Sequence, residues 1–505
     1  MSVSSFYVEN FGCRATQADG AAIERQFRDR GLDRAGAPTR ADYVVLNTCA
    51  VTAAAEQDAR AAIRRIRRSN PDCKIVITGC YAQRAPGEVA ALPGVSQVIG
   101  NSHKHTLAQI ALSGKSETHI AQNRKFILAS DLESGSAVAR ESTIDAPPNV
   151  SSSAYPAEQF ETGRSEIFVS DIFAHTELLA APVFDSANER TRPNLKIQDG
   201  CNNRCSFCII PSLRGRSRSL PTNAVVREVN DLVFAGYREV VLSGINLGRW
   251  GRDLSGQALP GHRPPRFEDL LRLILAHTRA EKLRISSVEP MDWTESLIRL
   301  VAESGRIAKH AHLPMQSGSD RVLRRMHRKY RPWHYREKIN KIHAAMPDAA
   351  IGADVMVGFP GETDAEFEET RGMIEDLPFT YLHVFTFSAR PGTPAANMPD
   401  QVPVHISRER NRVLRELAAK KKLAFMRGFI GRELEAISLS TPYENASGEW
   451  TEALTDNYLK MRLPGKRRPN QWLMTRVLAV EDGTLVAVAG EPERAQQYRP
   501  GCESH

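Results

Sequence analysis

Leu195-Lys-Ile-Gln-Asp-Gly-Cys201-Asn-Asn-Arg-Cys205-Ser-Phe-Cys208-Ile-Ile-Pro211 is the stretch on which the reading of the whole chain turns. An apolar-alternating strand runs into Asp199-Gly200, and three cysteines follow at the spacing C-x3-C-x2-C. Thiolates are soft ligands that suit iron–sulfur clusters or zinc. A zinc ribbon uses pairs of C-x2-C or adds a distant pair of histidines. Here one tight triplet sits in a loop after a strand. Three ligands on a four-iron cluster leave one iron open, as catalytic zinc keeps a position open for substrate. The bland alternative is three unrelated structural thiols, and the flanking strand and glycine weigh against it.

Downstream of this stretch a strand-then-helix rhythm repeats through residue 387. Strands are expected near 194–198, 239–243, 282–287, 309–314, 351–357 and 381–387. Helices with apolar spacing of three and four are expected near 222–235, 266–278, 294–304, 319–328, 335–346 and 364–376. Six such units imply an incomplete parallel barrel with its site at the carboxyl ends of the strands. The cysteine loop follows the first strand, so it opens on that face. Other strand ends carry Ser243-Gly244, Ser286-Ser-Val-Glu289, Gln316 and Gly358. Glycine lets a ligand approach the backbone closely, and Ser, Gln and Glu offer hydrogen bonds to an amino acid or a ribose. Ser243, Gly244, Ser286, Glu289, Gln316 and Gly358 are therefore the candidate cofactor-binding residues. Taken singly each is an ordinary polar loop residue; their shared placement above a thiolate triplet carries the reading.

Upstream, residues 6–100 alternate short β-branched runs (6–9, 43–46, 74–78, 95–99) with helices near 18–30, 53–68 and 86–91. That pattern predicts a small parallel α/β domain. Three of its strands end at a cysteine: Asn10-Phe-Gly-Cys13, Asn47-Thr-Cys49 and Thr78-Gly79-Cys80. Loops at one edge of a parallel sheet would bring these three thiols together. Against this stands the reading of each as a small buried hydrophobe. Cys73 precedes its strand and Cys502 lies in the tail, so neither joins the set. Arg60, Arg64, Arg67 and Arg68 share one helix face, read first as solvated and second as a phosphate contact.

Residues 131–167 hold seven Asp or Glu against two Arg, with Pro147-Pro148 and Ser151-Ser-Ser153. Such a composition buries too little apolar surface to offset ordering entropy and predicts a linker with mobile parts. Residues 407–428 predict a helix with eight Lys or Arg against two Glu, including Lys420, Lys421 and Lys422. Short β runs at 433–439, 458–463, 472–480 and 484–489 then predict a small antiparallel barrel. Lys460, Arg462, Lys466 and Arg467 stud one hairpin, with Tyr458 and Trp472 beside them. Basic residues track a phosphate backbone and aromatics stack on unpaired bases; a solvated hairpin is the plain alternative.

The 505 residues exceed one ordinary core, so several domains are expected. The boundaries fall at 1–112, a linker at 113–190, the barrel at 191–425 and the small β-barrel at 428–492. A charge of +8 and a pI near 9.1 suit a polyanionic partner. The chain lacks a run of about 18 apolar residues, and Glu9 sits where a signal peptide needs an apolar core. The expectation is a cytoplasmic protein without a membrane span, its thiols reduced and available as ligands.

With both cysteine trios in view, the chain resembles the methylthiotransferases of the radical S-adenosylmethionine (SAM) superfamily. Those enzymes join an N-terminal three-cysteine domain, a radical SAM barrel and a C-terminal β-barrel called TRAM. Asn47-Thr-Cys-Ala-Val-Thr52, Gly79-Cys-Tyr-Ala-Gln83, Ser286-Ser-Val-Glu-Pro290 and Leu313-Pro-Met-Gln-Ser-Gly-Ser-Asp320 look most like the branch acting on N6-threonylcarbamoyladenosine at tRNA position 37. The branches acting on isopentenyladenosine or on ribosomal protein S12 are the runners-up, and an RNA-binding protein with structural iron–sulfur or zinc sites is the non-enzymatic alternative. Cys13-Arg-Ala-Thr16 departs from the Asn common at the fourth place in the tRNA enzymes, and Ser212 stands where Tyr is common. The resemblance implies that Cys201, Cys205 and Cys208 hold a [4Fe–4S] cluster that reduces SAM to a 5′-deoxyadenosyl radical. It implies a second, auxiliary [4Fe–4S] cluster on Cys13, Cys49 and Cys80 that carries sulfur, with another SAM as methyl donor. Its implied partners are the tRNA anticodon arm, SAM, an electron donor and a sulfur source.

Overall fold

The computed structural model describes residues 4–113, 165–175, 178, 191–254, 263–445 and 448–490. Residues 131–164 of the acidic stretch and Cys502 lie outside the described residues. The chain divides into two compact units, residues 1–179 with 212–214, and the remainder.

The first unit is a parallel sheet of β1 (Ser5–Asn10), β2 (Asp33–Arg34), β3 (Tyr43–Thr48), β4 (Lys74–Gly79), β5 (Val95–Gly100) and β6 (Glu166–Phe168). The spatial order is β2-β1-β3-β4-β5-β6. Strands β3 and β4 are almost wholly buried, with Val44-Val45-Leu46 and Ile75-Val76-Ile77 at their centres, as central parallel strands covered on both faces must be. Helices Arg14–Arg28 and Ala53–Ser69 follow β1 and β3; Thr52 caps the second by accepting from the Ala55 amide at 3.3 Å. The sixth strand comes from within the stretch read as linker, where Ile167 is buried beside Val98. Glu166-Ile-Phe168 beside an acidic run is too short a signal to stand out in sequence.

In the second unit the six expected β/α strands are β7 (Asn194–Asp199), then, after the two-residue β8 (Arg218–Ser219), β9 (Glu239–Gly244), β10 (Lys282–Ile285), β11 (His310–His312), β12 (Ala350–Val357) and β13 (Tyr381–Thr386). They form two sheets, β10-β9-β7-β8 and β11-β12-β13, linked by parallel bridges such as Ser287 to His312. The core between strands and helices holds Leu242, Leu270, Ile285, Trp293, Ile339 and Val355, all essentially inaccessible. The helix Asp364–Asp376 starts at a Thr363/Glu366 capping box.

The C-terminal element is a closed barrel in the order β14-β15-β16-β18-β17: β14 (Glu433–Asn445), β15 (Gly448–Thr455), β16 (Lys460–Pro464), β17 (Trp472–Glu481) and β18 (Thr484–Ala489). Two details differ from the sequence reading. One strand, β15, was not anticipated, because Glu449 and Glu452 break up its apolar run. The β16–β18 pair is parallel within an otherwise antiparallel barrel.

Inside this unit Glu239 at the start of β9 accepts from Arg284 Nε of β10 at 2.6 Å, and both side chains are sealed from solvent. Arg284 also donates to the Asp456 and Thr455 carbonyls of the C-terminal barrel, at 3.0 and 3.3 Å. Burial alone would raise the Glu239 carboxyl, but Arg284 and Arg192 outweigh it and hold it below the usual range. Breaking a buried ion pair strands a charge, so Glu239→Gln is expected to cost about 3 kcal/mol and lower the thermal midpoint, with Glu239→Leu/Arg284→Met recovering part of the loss. A scan showing Glu239→Gln as stable as the parent contradicts this. The carboxylate's share of stability is present above its unfolded pKa of about 4.3 and is lost as pH falls through the lower folded value.

Candidate cluster sites

Asn10 pairs with Asn47 and Thr48 with Gly79, so β1, β3 and β4 end level with one another. Each then delivers a cysteine. Gly12 has φ +111, and a Cβ there would stand 2.7 Å from Cys49 Cβ and 3.0 Å from its Sγ, so the first loop folds directly over the second cysteine. Cys13 Sγ lies 3.6 Å from Thr16 Oγ1, Cys49 Sγ accepts from the Val51 amide at 3.5 Å, and Asn101 Nδ2 donates to Cys80 Sγ at 3.7 Å. Burial, then the neighbouring Cys80 and Cys13 thiols, push Cys49 up to about 11. Beneath them Lys104 Nζ and Arg214 Nη2 both reach Asp19 Oδ2 at 3.0 Å, all three buried. Arg214 works against the rise at Cys49, and burial outweighs it.

In the second unit the cysteine loop hangs from a built turn. Gly200 has φ +70, and a Cβ there would stand 2.0 Å from the Arg216 carbonyl oxygen, so only glycine fits. Asp199 accepts from the Gly200 amide and from Lys196 Nζ, both at 2.8 Å, while Gln198 Oε1 accepts from the Asn246 amide at 2.6 Å. Asn246 Nδ2 in turn donates to Cys201 Sγ at 3.5 Å, joined by the Asn203 amide at 3.4 Å. Arg328 Nη1 donates to Cys205 Sγ at 3.2 Å and its other nitrogen to Glu289. Burial pushes Cys208 up to about 12 and raises Cys201 as well. These thiols lose protons when a metal group supplies compensating charge.

Among the described residues, His312, Asp354 and His383 are the one group of three such ligands whose donor atoms all lie within 4.8 Å of one another. Neither cysteine trio is that tight, whereas three thiolates on a single zinc ion stand about 4 Å apart. The donor sets, three convergent thiols with hydrogen bonds aimed at sulfur, fit a cluster of several irons.

The structure places the other candidates unevenly. Glu289 lies with Arg328 beside Cys205, lining a small cavity. Ser243 is buried with its hydroxyl toward the Leu195 carbonyl at 3.5 Å, and Gly244 packs on Gln198 at the β7–β9 pairing. Ser286 sits just past β10, its amide bonded to the Leu242 carbonyl at 3.0 Å. Gln316 adopts φ +63 and exchanges backbone bonds with Asp354 and Met356. Beside Gly358 the space is filled by Ser407, so packing accounts for that glycine. Lys421 Nζ donates to the Glu375 carbonyl at 2.8 Å, Lys420 and Lys466 are exposed, and the Arg467 amide donates to Thr451. Lys422, Lys460 and Arg462 line one cavity. Arg328 was not singled out in sequence; the run from Arg321 to Arg331 hides it among surface arginines.

A partial β/α barrel that holds a C-x3-C-x2-C loop at its strand ends defines a radical SAM enzyme, and residues 195–374 match the Radical SAM superfamily. Its cofactors are SAM and [4Fe–4S] clusters, two in this architecture. Residues 5–100 match the uncharacterized protein family UPF0004. The chain is 36% identical over 457 residues to the threonylcarbamoyladenosine tRNA methylthiotransferase MtaB of Bacillus subtilis, covering 90% of this chain and 89% of that one. The enzyme of the same name from Aquifex aeolicus is 33% identical, covering 93% and 98%. A tRNA-2-methylthio-N(6)-dimethylallyladenosine synthase from Acidothermus cellulolyticus is 31% identical, covering 99% and 87%. The chain belongs to the tRNA methylthiotransferase family of radical SAM enzymes. Among solved structures, the radical SAM methyltransferase TsrM from Kitasatospora setae shares the fold, with TM-score 0.52 at 14% identity over 78% of this chain and 75% of that one. Among the described residues, no helix is long and apolar enough to cross a membrane.

Proposed function

We propose that this chain converts N6-threonylcarbamoyladenosine at position 37 of tRNA to its 2-methylthio derivative, in the cytoplasm, drawing on an electron donor and a sulfur source. The observation that carries the reading is the pair of cysteine trios, one at the edge of each unit's sheet, in a chain whose relatives named for this reaction are 31–36% identical across 85–99% of its length. When bound, the clusters and SAM supply the radical, the sulfur and the methyl group that substitution at an unactivated adenine C2–H requires.

The chain's own residues supply the setting. Cys201, Cys205 and Cys208 would hold one cluster, with Asn246 and Arg328 donating to two of the sulfurs and Gly200 setting the turn. Cys13, Cys49 and Cys80 would hold the other, with Asn101 donating to sulfur and Lys104 beneath. Such donors steady ligand orientation and tune the group that is held. Adenine C2–H is not acidic, so a general base has little to act on. Nucleoside analysis of tRNA from a strain lacking this chain tests the substrate. The expected result is loss of 2-methylthio-N6-threonylcarbamoyladenosine with its unmodified precursor accumulating. Persistence of that nucleoside while another methylthio product disappears would overturn the assignment.

A further inference from the structure

The helix Val404–Arg427 turns Arg415, Ala418, Ala419 and Lys422 toward a cavity of about 540 Å³ within the second unit. Spacings of three and four put these four on one helix face, two cations flanking two small residues that leave room between them. Lys460 of β16 lines the same cavity. Arg462 does too, but Glu452 stands directly opposite it on β15 and offsets its charge. Among the described residues, Arg415, Lys422 and Lys460 form no ion pair. Burial, and then the Lys460 ammonium, press Lys422 below the usual lysine range, so the cavity holds like charges facing each other.

The other wall is aromatic. Tyr381 and His383 of β13 lie in tilted contact, ring centroids 5.4 Å apart, and Tyr458 stands 5.8 Å from Tyr381. Sequence reading put Tyr458 in a strand; it occupies the turn before β16 with φ +68. A bulky side chain keeps that conformation only where its surroundings hold it, and such residues gather at binding sites. His310, 4.6 Å from the Tyr458 ring, and Arg284, 5.3 Å over it, do the holding. The cavity volume lies in the range of about 300–1,000 Å³ of small-ligand sites.

One cationic wall and one aromatic wall are the two halves of nucleotide recognition: phosphate on cations, base on rings. We propose that this cavity takes one unpaired nucleotide of the RNA substrate, its phosphate held by Arg415, Lys422 and Lys460 and its base set against Tyr381, His383 and Tyr458. The inference rests on the RNA-modifying reading above and narrows it, separating Lys422 and Lys460 from the neighbouring Lys420, Lys421 and Lys466.

The test is binding of a labelled tRNA anticodon stem–loop to the cluster-reconstituted full chain across a salt series. Lys422→Met/Lys460→Met is expected to weaken binding about tenfold and to make the log Kd against log salt slope shallower by about one to two. His383→Ala is expected to weaken binding about fivefold with the slope unchanged, as loss of stacking requires. Arg299→Met, loss of one charge at an exposed position of the helix Glu295–Glu303 and the match for Arg415→Met below, is expected to bind as the parent does. Iron content and thermal midpoint report on folding, and the exposed Arg415→Met repeats the charge test should the double variant be unstable. Cavity variants indistinguishable from the parent, or from Arg299→Met, overturn the nucleotide site while RNA binding by the parent leaves the wider reading standing. A parent that binds no stem–loop overturns both.

Discussion

Cys205→Ala is expected to abolish SAM cleavage and to lower the iron content of the anaerobically reconstituted chain from about eight to about four. The size of the effect follows from the ligand count. With three thiols per trio, removing one leaves two ligands for a group that needs three, and the Arg328 guanidinium loses the sulfur it donates to. Arg328 then remains buried with Glu289 and the Tyr330 hydroxyl as its partners and no sulfur. Cys73→Ala is the matched control, since that thiol is buried too but donates to the Asn70 carbonyl at 3.2 Å and belongs to neither trio. It is expected to keep both its iron and its SAM cleavage. The measurements are iron per chain and 5′-deoxyadenosine released under a strong reductant. A Cys205→Ala protein that still released it at the parent's rate, or a parent that took up only zinc, would sink the enzyme reading.

The barrel was legible in sequence because its two periods are clean. Leu270, Leu271 and Ile274 fall on one helix face, and Val240 and Leu242 alternate inward, so strands were located to within a few residues. The N-terminal trio was legible for a topological reason: strands that run parallel end at the same edge, and three ended in cysteine. What sequence did not show is which residues meet across distance. Arg328 reaches Cys205 over 123 positions, and no local pattern marks one arginine among its neighbours. His383 reaches Asp354 at 3.3 Å, and His312 reaches the same oxygen at 3.4 Å from a third strand. Burial would raise Asp354, but the His312 and His383 rings against it hold it well below the ordinary carboxylate range. Such a cluster follows from β11, β12 and β13 lying side by side with these residues on one face, a matter of register that alternation alone leaves open. The cationic wall of the cavity was half legible: the charge of the Val404–Arg427 helix was plain, while the face that Lys422 shares with Arg415 needed the partner strands to give it meaning.

Cys49→Ala is expected to do the reverse of Cys205→Ala in one respect: SAM cleavage survives while the methylthio product is lost. The two units have separate cores, Phe6, Val45, Val76 and Ile99 in one and the barrel interior in the other. Gly200, Asn246 and the C-x3-C-x2-C loop belong to the second unit, with hydrogen bonds of their own. Cys49 is the most informative of its trio. It is 4% exposed, sits on the central strand of the three, and contacts the Gly12 turn that brings Cys13 over it. Losing one buried sulfur costs about 1 kcal/mol of packing, too little to unfold the sheet. What it would remove is one of the three thiols proposed to hold the second cluster, above the Asp19 carboxylate that Lys104 and Arg214 share. Iron per chain should again fall by about half, now with 5′-deoxyadenosine still released and the 2-methylthio nucleoside absent from the tRNA. If Cys49→Ala stopped SAM cleavage as completely as Cys205→Ala does, the division of labour between the two trios would be wrong.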